Sequence, residues 1–274
     1  IKDIKISFKE APLADMDSIS LVHPKKHMEK IFSNIPKSGL IGVEKEPYAD
    51  TMLCPKSKKA ILRSCGAGIA AADDLMNSNK RIFCAIRPPG HHAETTKAMG
   101  FCFINNIAVT ARYLQKKYKI KKVAIIDFDV HHGNGTQEIF YNDETVAYGS
   151  SHEFPLFPGT GSEEETGVGN IFNAPIKSGI KGKEFLKVFE QKVLNPIDKF
   201  KPEVVLISAG FDAHTRDPLA SINLESKDFY EITKKIVDLA NVHSEGRIIS
   251  FLEGGYDLLA LSESIKEHFL ALKI

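Results

Sequence analysis

From about residue 60 onward, short β-branched runs alternate with longer stretches in which apolar residues recur every three or four positions. The runs at 81–86, 122–127, 145–150, 203–209 and 247–252 read as strands, and the helical spacing fits 57–75, 105–117, 183–200, 227–243 and 259–272. The strand cores VAIID, VVLIS and RIISFL are nearly continuous rather than alternating, as expected where both faces of a sheet are covered. Strands alternating with helices form βαβ units, so the expected class is α/β, three-layer α/β/α with a mostly parallel central sheet. No repeat, low-complexity tract or Pro/Ser-rich linker interrupts the pattern. A single domain over 1–274 is therefore expected, with the first 55 residues as an irregular apron around it.

Open parallel sheets collect ligands beyond the carboxyl ends of their strands. The segments after four of the candidate strands, RPPGHHAE, DFDVHHGNG, SAGFDAHTRDP and LEGGYD, are the richest in His, Asp, Gly and Tyr. Asp127, Asp129 and His131 alternate at a strand end, so a period of two projects all three side chains to one side. An Asp and a His so placed, with Asp212 from a second strand end, would make a three-ligand metal set with a position left for water. The competing reading is that they cap a helix or pair with each other. Buried carboxylates are costly unless paired or metal-bound, and two strand ends finishing in Asp favour the metal.

His91 and His92 follow a rigid Arg-Pro-Pro-Gly lead-in. One imidazole could move protons while the other stabilises charge; alone, such a pair would more readily be an inconsequential surface feature. In the second pair, His131 is the candidate ligand and His132 a supporting residue. Gly254-Gly255-Tyr256 is either a simple turn or a way to lay a phenol over a developing oxyanion.

Composition narrows the rest. The 274 residues carry a net charge of +1, with 43% hydrophobic and 26% charged residues, which offers no field for gripping nucleic acid or an anionic membrane. No apolar run approaches the ~20 residues of a membrane span, so a soluble, cytoplasmic protein is expected. The four cysteines form no CxxC pair. Nucleotide-binding, zincin and serine-hydrolase motifs (GxGxxG, GxxxxGK[ST], HExxH, GxSxG) are missing.

The motifs RPPGHHA, GFCFINN, IDFDVHHGNGTQ, FPGTG, SAGFDAHTRDPL and EGGY, in this order, resemble the histone deacetylase superfamily over roughly residues 10 to 272. The similarity is greatest to class II and bacterial histone-deacetylase-like amidohydrolases, and extends to acetylpolyamine amidohydrolases. It implies an arginase-deacetylase type fold and a zinc-dependent deacetylase with one Zn2+ per chain, Fe2+ being the alternative. By motif position the resemblance makes Asp129, His131 and Asp212 the metal ligands. His92 becomes general base and then acid, His91 an electrostatic helper held by Asp127, and Tyr256 the carbonyl-polarising phenol. Gly100, Phe101 and Phe157 match the substrate tunnel. A structural K+ or Na+ would draw on main-chain oxygens of Asp127, Asp129 and His131 plus Ser150 and Ser151. Asn134 stands where class I relatives carry a second aspartate, and His132 lies behind the site with it.

The resemblance also implies partners that are acetylated lysines in proteins or acetylated small amines, with no direct nucleic acid and no membrane. Members usually have an extra N-terminal stretch, so an edge shortened before Ile1 is expected, and Asp50 is the candidate rim contact. Two other classes stay in view. An arginase-like ureohydrolase needs a two-metal cluster with more carboxylates, and a non-catalytic acyl-lysine binder would lack a ligand, the His pair or the Tyr.

Overall fold

Alternate residues of the central strands go to opposite cores. In the strand Val123–Asp127, Ala124 and Ile126 join one cluster while Val123 and Ile125 join the other, and Val204–Ala209 divides in the same way. This is the three-layer arrangement that continuous apolar runs call for. The computed structural model describes residues 6–43, 50–78 and 81–273.

In chain order the elements are α1 (Met16–Ile19), α2 (Lys25–Ser33), β1 (Ile41–Gly42), β2 (Met52–Leu53), α3 (Ser57–Ser78), β3 (Ile82–Cys84), α4 (Asn106–Tyr118), β4 (Val123–Asp127), α5 (Asn134–Phe140), β5 (Val146–Glu153), β6 (Ile171–Ile176), α6 (Gly182–Phe189), α7 (Asn195–Phe200), β7 (Val204–Ala209), α8 (Ser226–His243), β8 (Ile248–Leu252) and α9 (Leu258–Leu272). Strands β3 to β8 form one six-stranded sheet in the order β3-β8-β7-β4-β5-β6, every pairing parallel. From β4 the chain winds outward through β5 to β6, then returns to the other side of β4 with β7. The carboxyl ends of β4 and β7 therefore flank the switch point, where a crevice opens.

Helices α3 and α4 cover one face through Ala72, Leu75, Ala111 and Leu114. Phe185, Phe189, Ile197, Phe229 and Ile236 from α6, α7 and α8 cover the other. Each such side chain, once buried, contributes about 1.5–3 kcal/mol before its ordering entropy is charged. A third cluster corrects the expectation of an irregular apron: Ile19, Met28, Ile31 and Leu53 pack against Ile61, Cys65 and Val109. Helix α1 is capped by Asp15, whose Oδ1 accepts the Ser18 N–H at 2.7 Å.

Three further elements depart from the expected pattern. Strand β6 carries Pro175, which cannot donate to a ladder on its N–H and so masks a strand signal; the sheet tolerates it because β6 is an edge. The helix expected over 183–200 divides into α6 and α7 around a π-helical segment, Glu190–Leu194. Pro196, near the start of α7, has no N–H for the carbonyl four residues back and interrupts the ladder there. Helix α5, seven residues rich in Asn, Gly and Thr, shows no periodicity to find. Among the described residues no helix is long and apolar enough to cross a membrane.

Candidate functional site

Sheet order brings the four chemistry-bearing segments together, because β3, β8, β7 and β4 are consecutive neighbours and all run the same way. Asp129 and His131 follow β4, and Asp212 follows β7. One ligand atom from each of these three lies within 4.8 Å of the others, and the two carboxylates are almost wholly buried. His131 Nδ1 sits 3.2 Å from Asp129 Oδ1 and 3.1 Å from Asp212 Oδ2. The remaining carboxylate oxygens are oriented by main chain: Gly254 N–H donates to Asp129 Oδ2 at 2.7 Å and Val130 N–H to Asp212 Oδ1 at 3.0 Å. That close approach requires glycine. A Cβ at Gly254 would stand 2.1 Å from Asp212 Oδ2, and one at Gly210 would stand 2.1 Å from Asp129 Oδ2.

Burial would raise the Asp129 pKa, yet His91 and His131 hold it well below the usual carboxylate range. Asp212, by burial and then by repulsion from Asp129, is pushed up to about 6. Burial would lower His131, but its hydrogen bonds to the two carboxylates lift it to about 11. Two buried anions converging on one imidazole nitrogen demand positive charge at their centre. A divalent cation meets that demand, and one imidazole with two carboxylates is a donor set that zinc accepts.

The tandem histidines have unlike partners. His91 Nδ1 is 3.0 Å from Asp127 Oδ2, a carboxylate that also accepts the Tyr148 hydroxyl at 3.0 Å and, on Oδ1, the Asp129 N–H at 3.1 Å. His92 Nδ1 instead faces the amide Oδ1 of Asn134 at 2.9 Å. Burial alone would lower His91, but Asp127, Asp129 and Glu253 outweigh it and lift the pKa to about 10. Burial, then the charges of His91 and His131, drive His92 well below the ordinary histidine value. The two imidazoles are thus pushed in opposite directions, with ring centroids 4.0 Å apart.

Tyr256 is positioned by its backbone N–H, which donates to Asp217 Oδ2 at 2.8 Å. Burial and then the two cluster aspartates raise its pKa above the ordinary phenol value, so it keeps its proton. Its ring meets that of Phe101 edge-on at 6.2 Å. Phe157, exposed like Phe101, stands 5.1 Å from the His92 ring and 6.2 Å from that of His131. Gly100 passes so close to His92 that a Cβ there would lie 2.3 Å from its Cδ2. A cavity of about 420 Å3 beside Tyr256 and Phe101 is lined in part by Asp50, Met52 and Arg87. Asp50 thus shares a cavity with Tyr256 and Phe101.

The remaining expected residues sit behind the cluster. His132 does not join the three ligand candidates; its Nδ1 lies 2.7 Å from Thr160 Oγ1 and its Nε2 3.1 Å from Gln137 Oε1, which ties it to the loop bearing Phe157. Ser150 is the register partner of Asp127, and its hydroxyl lies 2.9 Å from His152 Nδ1. Ser151 Oγ is buried without a hydrogen-bond partner.

Several contributors were not assigned a role from the sequence, although all but Tyr148 lie in the strand-end segments noted there. Buried Glu253 accepts the N–H groups of Gly90 at 2.7 Å and His91 at 3.2 Å, and its carbonyl accepts Arg87 at 2.7 Å. The signal that singles out Asp127, a carboxylate closing a continuous apolar run, applies to Glu253 as well. Asp217 and Glu94 lie in the segments SAGFDAHTRDP and RPPGHHAE but do not close a strand, and Tyr148 lies within one, so the role of each shows only in a contact made across the fold.

A six-stranded parallel α/β sheet with carboxylate, histidine and tyrosine side chains gathered at its strand ends defines a protein of the arginase-deacetylase type. A family model described as the histone deacetylase domain matches residues 2–272, and the chain belongs to that family. It is 38% identical over 271 residues to histone deacetylase 10, chloroplastic, of Oryza sativa subsp. japonica, covering 94% of this chain and 61% of the relative. It is 35% identical over 250 residues to a probable deacetylase of Archaeoglobus fulgidus, covering 89% of this chain and 68% of the relative. The crystal structure of the HDA15 HD domain superposes with a TM-score of 0.89 at 33% identity, over 97% of this chain and 75% of that one. The chain spans 61% and 65% of the lengths of the two chloroplastic relatives it matches, from rice and Arabidopsis thaliana.

Proposed function

We propose that this protein is a metal-dependent deacetylase that hydrolyses the amide of an acetylated amine, with zinc held by Asp129, His131 and Asp212. One observation carries the reading: the convergence of those three donors beside a histidine pair with unlike partners, His91 on the Asp127 carboxylate and His92 on the Asn134 amide. When bound, a divalent ion supplies Lewis acidity to the amide carbonyl and acidity to water. His92, neutral and facing the cluster, takes the proton from the attacking water and later delivers it to the departing nitrogen. His91, kept protonated by Asp127, stabilises the negative charge that develops. The Tyr256 hydroxyl donates to the carbonyl oxygen as it becomes an oxyanion. Phe101 and Phe157 favour a slim, extended chain between their rings, such as an acetyl-lysine side chain or an acetylated polyamine. The buried Ser151 Oγ, without a hydrogen-bond partner and one residue beyond the Asp127–Ser150 register pair of β4 and β5, supports a monovalent cation, K+ or Na+, beneath the cluster.

A ureohydrolase would need further carboxylates around the cluster, and among the described residues only these three form such a group. The test is to load the protein with zinc and assay acetyl-lysine peptides and acetylated polyamines side by side. Deacylation of either class is the expected result; none of either would overturn the reading.

A further inference from the structure

The Asn134 amide behind His92 raises a question of direction that a carboxylate would not. Either oxygen of an aspartate accepts an imidazole N–H, but an amide presents an acceptor at one end and a donor at the other. Turned one way, Asn134 fixes the His92 proton on Nδ1 and leaves a lone pair on Nε2. Turned the other way, it forces the opposite tautomer and removes the base.

Asn134 Nδ2 lies 2.8 Å from Glu94 Oε1 and 3.3 Å from Met99 Sδ. An ionised carboxylate only accepts, so the amide end facing Glu94 is the NH2 group, and the oxygen is left for His92 Nδ1 at 2.9 Å. A flipped amide would set oxygen against carboxylate at that short distance. Glu94 is itself held in a turn in which its backbone N–H donates to the Lys97 carbonyl at 3.0 Å. It follows the histidine pair by two residues, so the loop that carries the base also carries the group that orients it. Asn134 opens α5, where its backbone N–H donates to the His132 carbonyl at 2.9 Å.

We infer that Glu94 is a positioning residue that locks the Asn134 amide and, through it, the Nδ1–H tautomer of His92. The inference rests on the reading of His92 as the base, but the tautomer is observable without turnover. A glutamine at position 94 offers either an oxygen or an NH2 to Asn134 and so releases the lock.

The experiment is a double-mutant cycle of Glu94→Gln and Asn134→Asp on the zinc-loaded protein, read by kcat/KM on an acetyl-lysine peptide and by 15N NMR of histidine-labelled protein. In the parent background, Glu94→Gln should lower kcat/KM by about tenfold, the worth of one oriented hydrogen bond. His92 should then show a mixture of tautomers instead of Nδ1–H alone. In the Asn134→Asp background the sign should reverse: Glu94 then repels a neighbouring carboxylate, and Glu94→Gln should raise kcat/KM. A residue that merely supports the loop would act with the same sign in both backgrounds, and that result would overturn the inference. So would an unchanged His92 tautomer in Glu94→Gln. A parent protein without turnover whose tautomer still responds to Glu94→Gln would sink the deacetylase reading and support the lock.

Discussion

The Glu253 carboxylate accepts the backbone N–H of Gly90 at 2.7 Å across a sequence separation of 163 residues. It thereby joins the end of β8, and the Gly254-Gly255-Tyr256 turn beyond it, to the loop bearing both histidines. Replacing Glu253 by Ala leaves the buried Gly90 and His91 N–H groups without acceptor, at a cost of about 2–3 kcal/mol. Glu253→Gln keeps one acceptor oxygen and should cost about 1 kcal/mol or less. Urea denaturation of the two variants measures the difference, and equal stabilities would mean the loop is held by other contacts.

Removing one carboxylate from the Asp129, His131 and Asp212 group should abolish ion binding while leaving the core intact, since Asp212 packs at the sheet end rather than between helices. Zinc at about a hundredfold excess over its dissociation constant stabilises a protein by about 2.7 kcal/mol. The parent should therefore gain melting temperature on zinc addition and lose it with a chelator, and Asp212→Asn should do neither. A Gly254→Ala variant should behave like Asp212→Asn, because its methyl group would occupy the space 2.1 Å from Asp212 Oδ2. A normal zinc shift in both variants would place the ion elsewhere.

His268, fully buried on α9, bridges two elements while neutral. Thr233 donates its hydroxyl to the Phe229 carbonyl at 2.6 Å, so it accepts from His268 Nδ1 at 2.6 Å; His268 Nε2 then accepts the Ser250 hydroxyl at 2.9 Å. Burial lowers its pKa from 6.5 to about 3. The unfolded chain thus binds a proton that the folded one refuses. The stability this histidine contributes is complete above pH 6.5 and is lost as pH falls toward 3, by up to about 1.4 kcal/mol per pH unit. His23, lowered to about 3 by burial and then by His27, acts in the same direction. His268→Gln should be less stable than the parent at pH 7 yet lose less stability on acidification. Parallel curves of melting temperature against pH would refute this assignment.

The parts of this protein that show in its sequence are those whose physics is local. The runs VAIID and VVLIS announce buried parallel strands because every side chain on both faces is apolar, and the polar residues that end them stand out against that background. Asp129, His131 and Asp212 were accessible by this contrast, and the order of the strands then brought them together. Strand β6 was hidden by Pro175, and the break between α6 and α7 is visible only once Pro196 is weighed against an otherwise good helical period. The supports of the site were hidden for a different reason. Glu253 binds main-chain N–H groups, which every residue carries, and Glu94 acts on His92 only through an amide 40 residues away. Such contacts have no spacing to read.

Tyr256 and Phe157 offer a way to separate chemistry from binding. The Tyr256 backbone is fixed by Asp217 and its ring lies against Phe101, so Tyr256→Phe keeps its place and loses only the hydroxyl. An oxyanion donor is typically worth about 3–4 kcal/mol, which predicts a fall in kcat of about 100-fold or more with zinc content unchanged. Phe157 contributes a ring beside His92 rather than a reacting group. Phe157→Ala should raise KM for an acetyl-lysine peptide about tenfold, the loss of one aromatic contact, while kcat falls far less. If Tyr256→Phe raised KM and spared kcat, the phenol would be a wall of the tunnel and not a donor. Steady-state kinetics of the two variants on one peptide therefore assigns each side chain to the transition state or to the ground state.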